Sequence, residues 1–234
     1  MNYTILLPVY NNNILFNNYA YKFIKRYNLQ DKCILLIQND EDEKNYAEFV
    51  DIKKIRCPPG KGKAVSFMMK QLPIDSQVVC IDDDITGLID IRGNHVEDVN
   101  KLFIEMFDKM KKENITLSGV YPVANTFFMK GREAITTHLN FIVGACFLFI
   151  NKRIEIETSG KDDFIFTIDN FNYAGKVLRY NHIAVKYQYK AGIEKENDLQ
   201  DFIDKYRDYI SYVKYNKNGK TSIILKKLKL MDDY

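Results

Sequence analysis

The chain has 234 residues, 46% hydrophobic and 28% charged, with a net charge of +3. That length supports a sizeable core, the composition excludes a disordered chain, and the small net charge is no argument for nucleic acid by itself. The longest apolar run, 141–150, is far too short to span a bilayer, and Met1 leads almost directly into strand-like sequence. A cytoplasmic protein with no signal peptide and no membrane span is therefore expected. Cys33, Cys57, Cys80 and Cys146 lack the spacing of a zinc knuckle or a redox pair. Cys33, Cys80 and Cys146 lie in apolar runs and read as core residues.

In chain order, residues 4–10 (Thr-Ile-Leu-Leu-Pro-Val-Tyr) read as a buried strand entering an asparagine loop. Leu15, Tyr19, Phe23 and Tyr27 then repeat every four residues and predict an amphipathic helix over 13–27. Residues 33–37 form a second strand ending at Gln38-Asn39-Asp40, and 52–56 a third. Pro58-Pro59-Gly60-Lys61-Gly62-Lys63 leads into a helix over 64–71, and 77–81 is a fourth strand. Strands that alternate with helices and are apolar throughout predict an α/β fold with a mostly parallel sheet. Beyond it, Val99, Phe103, Met106 and Met110 predict a helix over 96–112. Residues 116–121 and 141–150 read as strands, and 161–174 as a helix closed by Gly175. Residues 176–180 and 184–189 extend a mixed sheet, and 198–213 reads as a last helix. A turn at 217–220 and a strand at 222–225 follow. From Lys214 to Lys229 there are lysines and no acids. We divide the chain into a single domain over 1–213, in two halves that meet at about residue 90, and a basic extension over 214–234.

The fourth strand stops at three carboxylates, Asp82-Asp83-Asp84. Buried carboxylates are costly unless solvated, paired or bound to a cation. If strand geometry persists, Asp82 and Asp84 share a side and offer two hard oxygen ligands suited to Mg²⁺ or Mn²⁺. In open α/β sheets, ligands bind beyond the carboxyl ends of the strands. Pro8 to Asn13, Gln38 to Asp40 and the aspartate triplet all fall there.

Five segments in this order resemble GT-A-fold nucleotide-sugar glycosyltransferases, especially the family-2-like group. They are Leu6-Leu-Pro-Val-Tyr-Asn11, Gln38-Asn-Asp40, Pro59-Gly-Lys-Gly-Lys-Ala64, Ile81-Asp-Asp-Asp84, and Gly144–Arg153 followed by Gly160-Lys-Asp-Asp-Phe164. The resemblance implies a nucleoside-diphosphate sugar donor, of UDP type, contacted by Pro8, Tyr10, Asn39, Asp40, Lys61, Lys63, Asp82 and Asp83; Arg132, on a loop after Lys130-Gly131, is expected to touch donor or acceptor. It implies a Mn²⁺ or Mg²⁺ site at Asp84 and Asp82, with His182 as a further ligand. Asp82 would reach ribose or sugar while Asp83 turns away as support. Asp163, or its neighbour Asp162, is implied as the base that deprotonates the acceptor hydroxyl. A narrower resemblance, carried by 141–145, 162–170, 175–181 and 217–225, is to phage TET-associated enzymes that glycosylate hydroxymethylpyrimidines in DNA. That would make this a viral protein working in a host cytoplasm, with DNA as partner. A transferase acting on a surface glycan or small molecule, a sugar nucleotidyltransferase, and a non-catalytic binding module are the competing readings. The loop after the first strand lacks the Gly-rich, Arg-containing character of a nucleotidyltransferase.

Overall fold

The computed structural model describes residues 3–11, 13–156, 161–188, 196–215 and 221–228. Gly160, the 217–220 turn and Lys229, all used above, lie outside them. The chain runs β1 (Thr4–Pro8), α1 (Asn13–Asn18), α2 (Ala20–Arg26), β2 (Cys33–Ile37), α3 (Asp40–Asn45) and β3 (Lys53–Arg56). Next come α4 (Lys61–Gln71), β4 (Gln77–Ile81), β5 (Ile85–Asp90), α5 (Val99–Lys112), β6 (Leu117–Tyr121), α6 (Thr126–Met129), β7 (Ile135–Thr136) and β8 (Cys146–Ile150). It closes with α7 (Asp162–Ala174), β9 (Leu178–Tyr187), α8 (Glu196–Lys205), β10 (Ile210–Tyr215) and β11 (Thr221–Leu225).

Eight of the nine strands of the main sheet, among the described residues, lie in the order β3-β2-β1-β4-β8-β6-β9-β5, with β7 added to β9. Strands β1 to β4 run parallel, as does β6 with β9. Strand β8 is antiparallel to both β4 and β6, and β5 and β7 are antiparallel to β9. Alternate residues of each strand feed opposite faces. Ile5, Leu7, Val79 and Ile81 join one core with Phe103, Met106 and Phe107 of α5; Leu6, Val78 and Cys80 join the other with Met68 of α4 and Phe166 of α7. This two-sided burial is why the strands are apolar throughout, and the α/β expectation is met. All four cysteines are buried thiols, and burial pushes Cys80 up to about 12.

Several boundaries differ from the sequence reading. The 13–27 helix breaks at Tyr19 (φ −124, ψ −78), just after the poor helix formers Asn17 and Asn18. Strand β5 escaped notice because Gly87 and Asp90 are weak strand formers; its Gly87 lets the His95 ring approach to 2.7 Å from where a Cβ would stand. Of 141–150, only β8 is strand, because Gly144 is held by a carboxylate of α7. The two short strands expected after Gly175 are one continuous β9. The 198–213 helix ends at Lys205, and Ile210–Tyr215 pairs antiparallel with β11. Its β-branched and aromatic residues favour a ladder once a partner strand exists. This hairpin crosses position 213, and Leu225 is buried in the second core beside Phe202 and Tyr206.

Candidate active site

The carboxyl ends of β1, β2 and β4 and the start of α4 converge on a cleft of about 580 Å³ lined by Pro8, Val9, Tyr10, Gln38, Pro59, Gly60, Lys61, Asp82 and Asp83. Its walls are pinned by side chains that carry no individual site role in the sequence reading. Gln38 bridges two loops: its Nε2 donates to Val9 O at 3.0 Å, and its Oε1 accepts from Gly60 N at 2.7 Å. Gly60 takes φ +100 there, a conformation that favours glycine. Buried Asp42 accepts from Asn11 N at 2.8 Å and Gln38 N at 3.1 Å, tying the β1 and β2 loops together. Asn39 is the N-cap of α3, accepting from Asp42 N, and exposed Asp40 pairs with Arg56. Both expected donor contacts are thus engaged elsewhere, and Gln38 takes the place on the cleft wall. Lys63 is exposed on the first turn of α4 and is not among the lining residues.

The aspartate triplet does not continue the strand. Asp82 N donates to Ala145 O at 3.1 Å, one step past the Ile81–Cys146 pair; the chain then turns, with Ile85 N approaching Asp82 O at 3.4 Å. The alternation that would set Asp82 and Asp84 on one side is lost in that turn. Asp82 and Asp83 line the cleft, so Asp83 is not turned away, whereas Asp84 is 8% exposed and its carbonyl accepts from Gln188 N at 3.1 Å.

Lys61 is the hinge of the site. Its Nζ lies 2.6 Å from Asp82 Oδ1 and donates to Gly144 O at 2.8 Å. Gly144 N in turn donates to Asp163 Oδ2 at 2.8 Å. A Cβ on Gly144 would fall 2.2 Å from Asp163 Oδ1, so only glycine permits this approach. Burial alone would lower the Lys61 pKa, but the charges of Asp82 and Asp163 outweigh it and hold the ammonium well above the usual lysine range. Burial raises Asp163 above the usual aspartate range, with Asp82 pushing the same way and Lys61 opposing. Asp162 and Asp163 open α7 and border, with Lys61, Gly144 and Thr167, a small cavity of about 20 Å³, room for roughly one water or hydroxyl.

Two expected residues lie elsewhere. Residues Ile85 and Asp90 of β5 face Tyr187 and Ile183 of β9, so His182 sits past the end of β5 remote from Asp84, about 17 Å along the strand. Its Nδ1 lies 2.9 Å from Ala134 O. The register therefore does not bring His182 to the aspartates, and no group of three or more His, Cys, Asp or Glu residues forms a metal cage among the described residues. Arg132 is outside the cleft lining; its guanidinium lies 5.1 Å from the Tyr121 ring centre.

The fold is the α/β arrangement of GT-A-type enzymes. It is similar to a mannosyltransferase from Pyrobaculum calidifontis solved with GDP-Man and Mn²⁺ (TM-score 0.59, 14% identity, 81% of this chain and 57% of that one). It is also similar to S. aureus TarS residues 1–349 with UDP-GlcNAc (0.54, 13%, 83% and 60%) and to GalNAc-T7 with UDP, GalNAc and Mn²⁺ (0.58, 13%, 89% and 50%). The chain spans half to three-fifths of the length of these structures. No protein-family model and no curated protein matches it. Among the described residues, no helix is long and apolar enough to cross a membrane.

Proposed function

We propose that this chain is a glycosyltransferase that moves a hexose from a nucleoside-diphosphate sugar to an acceptor hydroxyl, with a hydroxymethylpyrimidine in DNA as the acceptor. The observation that carries the reading is the continuous link Asp82–Lys61–Gly144–Asp163, which couples the cleft to an aspartate beside a hydroxyl-sized space. Pro8, Tyr10 and Gln38 form the wall for the nucleoside, and Lys61 at the start of α4 faces the phosphates with its charge and free backbone donors. Asp82 and Asp83 line the cleft and Asp84 follows in the same turn, and these carboxylates would hold Mg²⁺ or Mn²⁺, which commonly takes one or two carboxylates and fills its shell with phosphate oxygens and water. Bound there, the cation would offset negative charge developing on the leaving diphosphate.

Asp163 is the base. Burial keeps its proton affinity above that of a solvated aspartate, which suits proton removal near neutral pH, while the Gly144 N–H fixes Oδ2. A base across the link from the leaving group fits inversion at the anomeric carbon. DNA as acceptor is supported by the exposed hairpin β10–β11, which presents Lys214 and Tyr212, and by exposed Lys227 beyond it. Incubation with UDP-sugars and GDP-mannose, with and without Mn²⁺, tests the class: release of nucleoside diphosphate supports it. Release of pyrophosphate from a nucleoside triphosphate and sugar phosphate would point instead to a nucleotidyltransferase. Transfer to hydroxymethylcytosine-containing DNA, detected as the mass of one hexose, tests the acceptor, and absence of transfer despite donor turnover rejects it.

A further inference from the structure

Two arginines pack against one tyrosine at the end of β6. Arg179 of β9 is 9% exposed, and Arg132 is exposed on the loop after β6. Their guanidinium carbons lie 5.5 and 5.1 Å from the centre of the Tyr121 ring. Arg179 donates through Nε to Asn181 Oδ1 at 2.7 Å and through Nη1 to Phe141 O at 3.2 Å; Arg132 donates to Phe128 O at 2.6 Å. These acceptors are neutral. Among the described residues neither arginine forms an ion pair with a carboxylate, and Glu133, next to Arg132, is exposed and pairs with neither. A desolvated cation held beside a second cation is unfavourable unless an anion completes the set. Consistently, burial and the neighbouring Arg132 lower the Arg179 pKa to about 10.

The pair is wired to the catalytic segment. Arg179 holds Phe141 O; three residues on, Gly144 N holds Asp163; Phe141 also stacks on Phe164 at 4.2 Å. Three residues span at most about 10 Å, so the carbonyl that Arg179 holds and the N–H that holds Asp163 lie within that distance of each other. On the short helix α6, just before Arg132, Phe127 and Phe128 are 78% and 49% exposed, offering flat apolar faces near the charge. Guanidinium forks match phosphate oxygens, and bases stack on exposed aromatics in a sequence-tolerant way.

We propose that Arg132, backed by Arg179 through Tyr121, binds a backbone phosphate of a single-stranded or flipped-out nucleic acid segment while Phe127 and Phe128 stack its bases. The proposal rests on the glycosyltransferase reading for its role, as the anchor that presents the acceptor hydroxyl to Asp163. The test is fluorescence anisotropy of the full chain with a labelled oligothymidylate, its uncharged methylphosphonate analogue, and a poly(glycerol phosphate) competitor across a salt series. Arg132→Ala should weaken oligonucleotide binding about fivefold and reduce the salt slope by about 0.7, the value for one single-strand phosphate contact. Phe127→Ala should weaken binding with the slope unchanged, and Lys112→Ala, an exposed lysine on α5, should bind as wild type. Equal binding of the methylphosphonate analogue, unchanged binding by Arg132→Ala, or preference for poly(glycerol phosphate) overturns the proposal. Arg132-dependent oligonucleotide binding in a chain that binds no nucleotide sugar would leave this surface standing and remove the transferase reading. Donor turnover without oligonucleotide binding would do the reverse.

Discussion

The two sides of the sheet's carboxyl edge are stabilised differently. On the donor side each loop is short and pinned to its neighbour by one side chain: Asn39 caps α3, Asp42 ties Asn11 to Gln38, and Gln38 ties Val9 to Gly60. On the acceptor side one irregular segment, 137–145, has local bonds from Asn140 to Thr136 and His138, and the stretch next to the base is tied to β9 and α7. Arg179 bonds Phe141, Thr167 bonds Ile142, and Asp163 bonds Gly144. These bonds cross 38, 25 and 19 positions, much as the donor-side pins of Asp42 and Gln38 cross 31, 29 and 22, so the difference lies in what is held: three short adjoining loops on one side, one long irregular segment on the other. The donor cleft should therefore tolerate loss of any one pin, whereas the acceptor segment should lose its geometry, and the base with it, when one long-range contact fails.

The sharpest break should come from the donor side's charge rather than its pins. We expect Asp84→Asn to lower turnover by about 10²–10³-fold and to abolish Mn²⁺-dependent nucleotide binding while circular dichroism stays unchanged. Wild-type turnover would exclude Asp84 from the cation site. Next, Asp163→Asn should cut transfer by about 10²-fold or more while donor binding persists in calorimetry. Its stability effect has a definite sign. The folded pKa of Asp163 is raised, so the stability it confers is complete at acid pH and lost as pH rises through the folded value. The asparagine variant should match wild type below about pH 4 and melt at equal or higher temperature near neutrality. A lower neutral melting temperature contradicts the burial assigned to this carboxyl.

Gly144→Ala tests the acceptor segment directly. The added methyl collides with Asp163, and about 1–3 kcal/mol of stability should be lost, with transfer falling far more than donor affinity. Equal losses in both would mean that the segment does not separate the two functions. The smallest effect should be Gln38→Ala, a donor KM rise of about three- to tenfold with kcat unchanged, read from initial rates.

The same contrast explains what could be read from sequence. The β1–β4 half was legible because its strands are continuous apolar runs and its loops follow them directly; Pro8, Tyr10, Lys61, Asp82 and Asp83 do line one cleft. Gln38 carried a usable signal, a polar residue directly after a buried strand, but which of Gln38, Asn39 and Asp40 faces inward, and that Asp42 is buried, depends on α3 starting at Asp40. On the other side, a run such as 141–150 has strand composition throughout, and only the carboxylate of Asp163 decides where pairing stops. His182 sat at a plausible place in the chain, yet the β9–β5 register, invisible in one strand's sequence, carries it to the wrong end. The basic tail read as an appendage, but Leu225 is buried, so deleting 214–234 would remove core as well as charge.

The central claim is that the cleft at Asp82 and Lys61 holds a nucleoside-diphosphate sugar with a divalent cation. Isothermal titration of wild type and Asp84→Asn with UDP-sugars and GDP-mannose, each with Mn²⁺ and with EDTA, measures it directly. We expect saturable binding of at least one donor by wild type in Mn²⁺, abolished by EDTA and by the substitution. Binding of no donor, or binding that is indifferent to both the metal and Asp84, would contradict it.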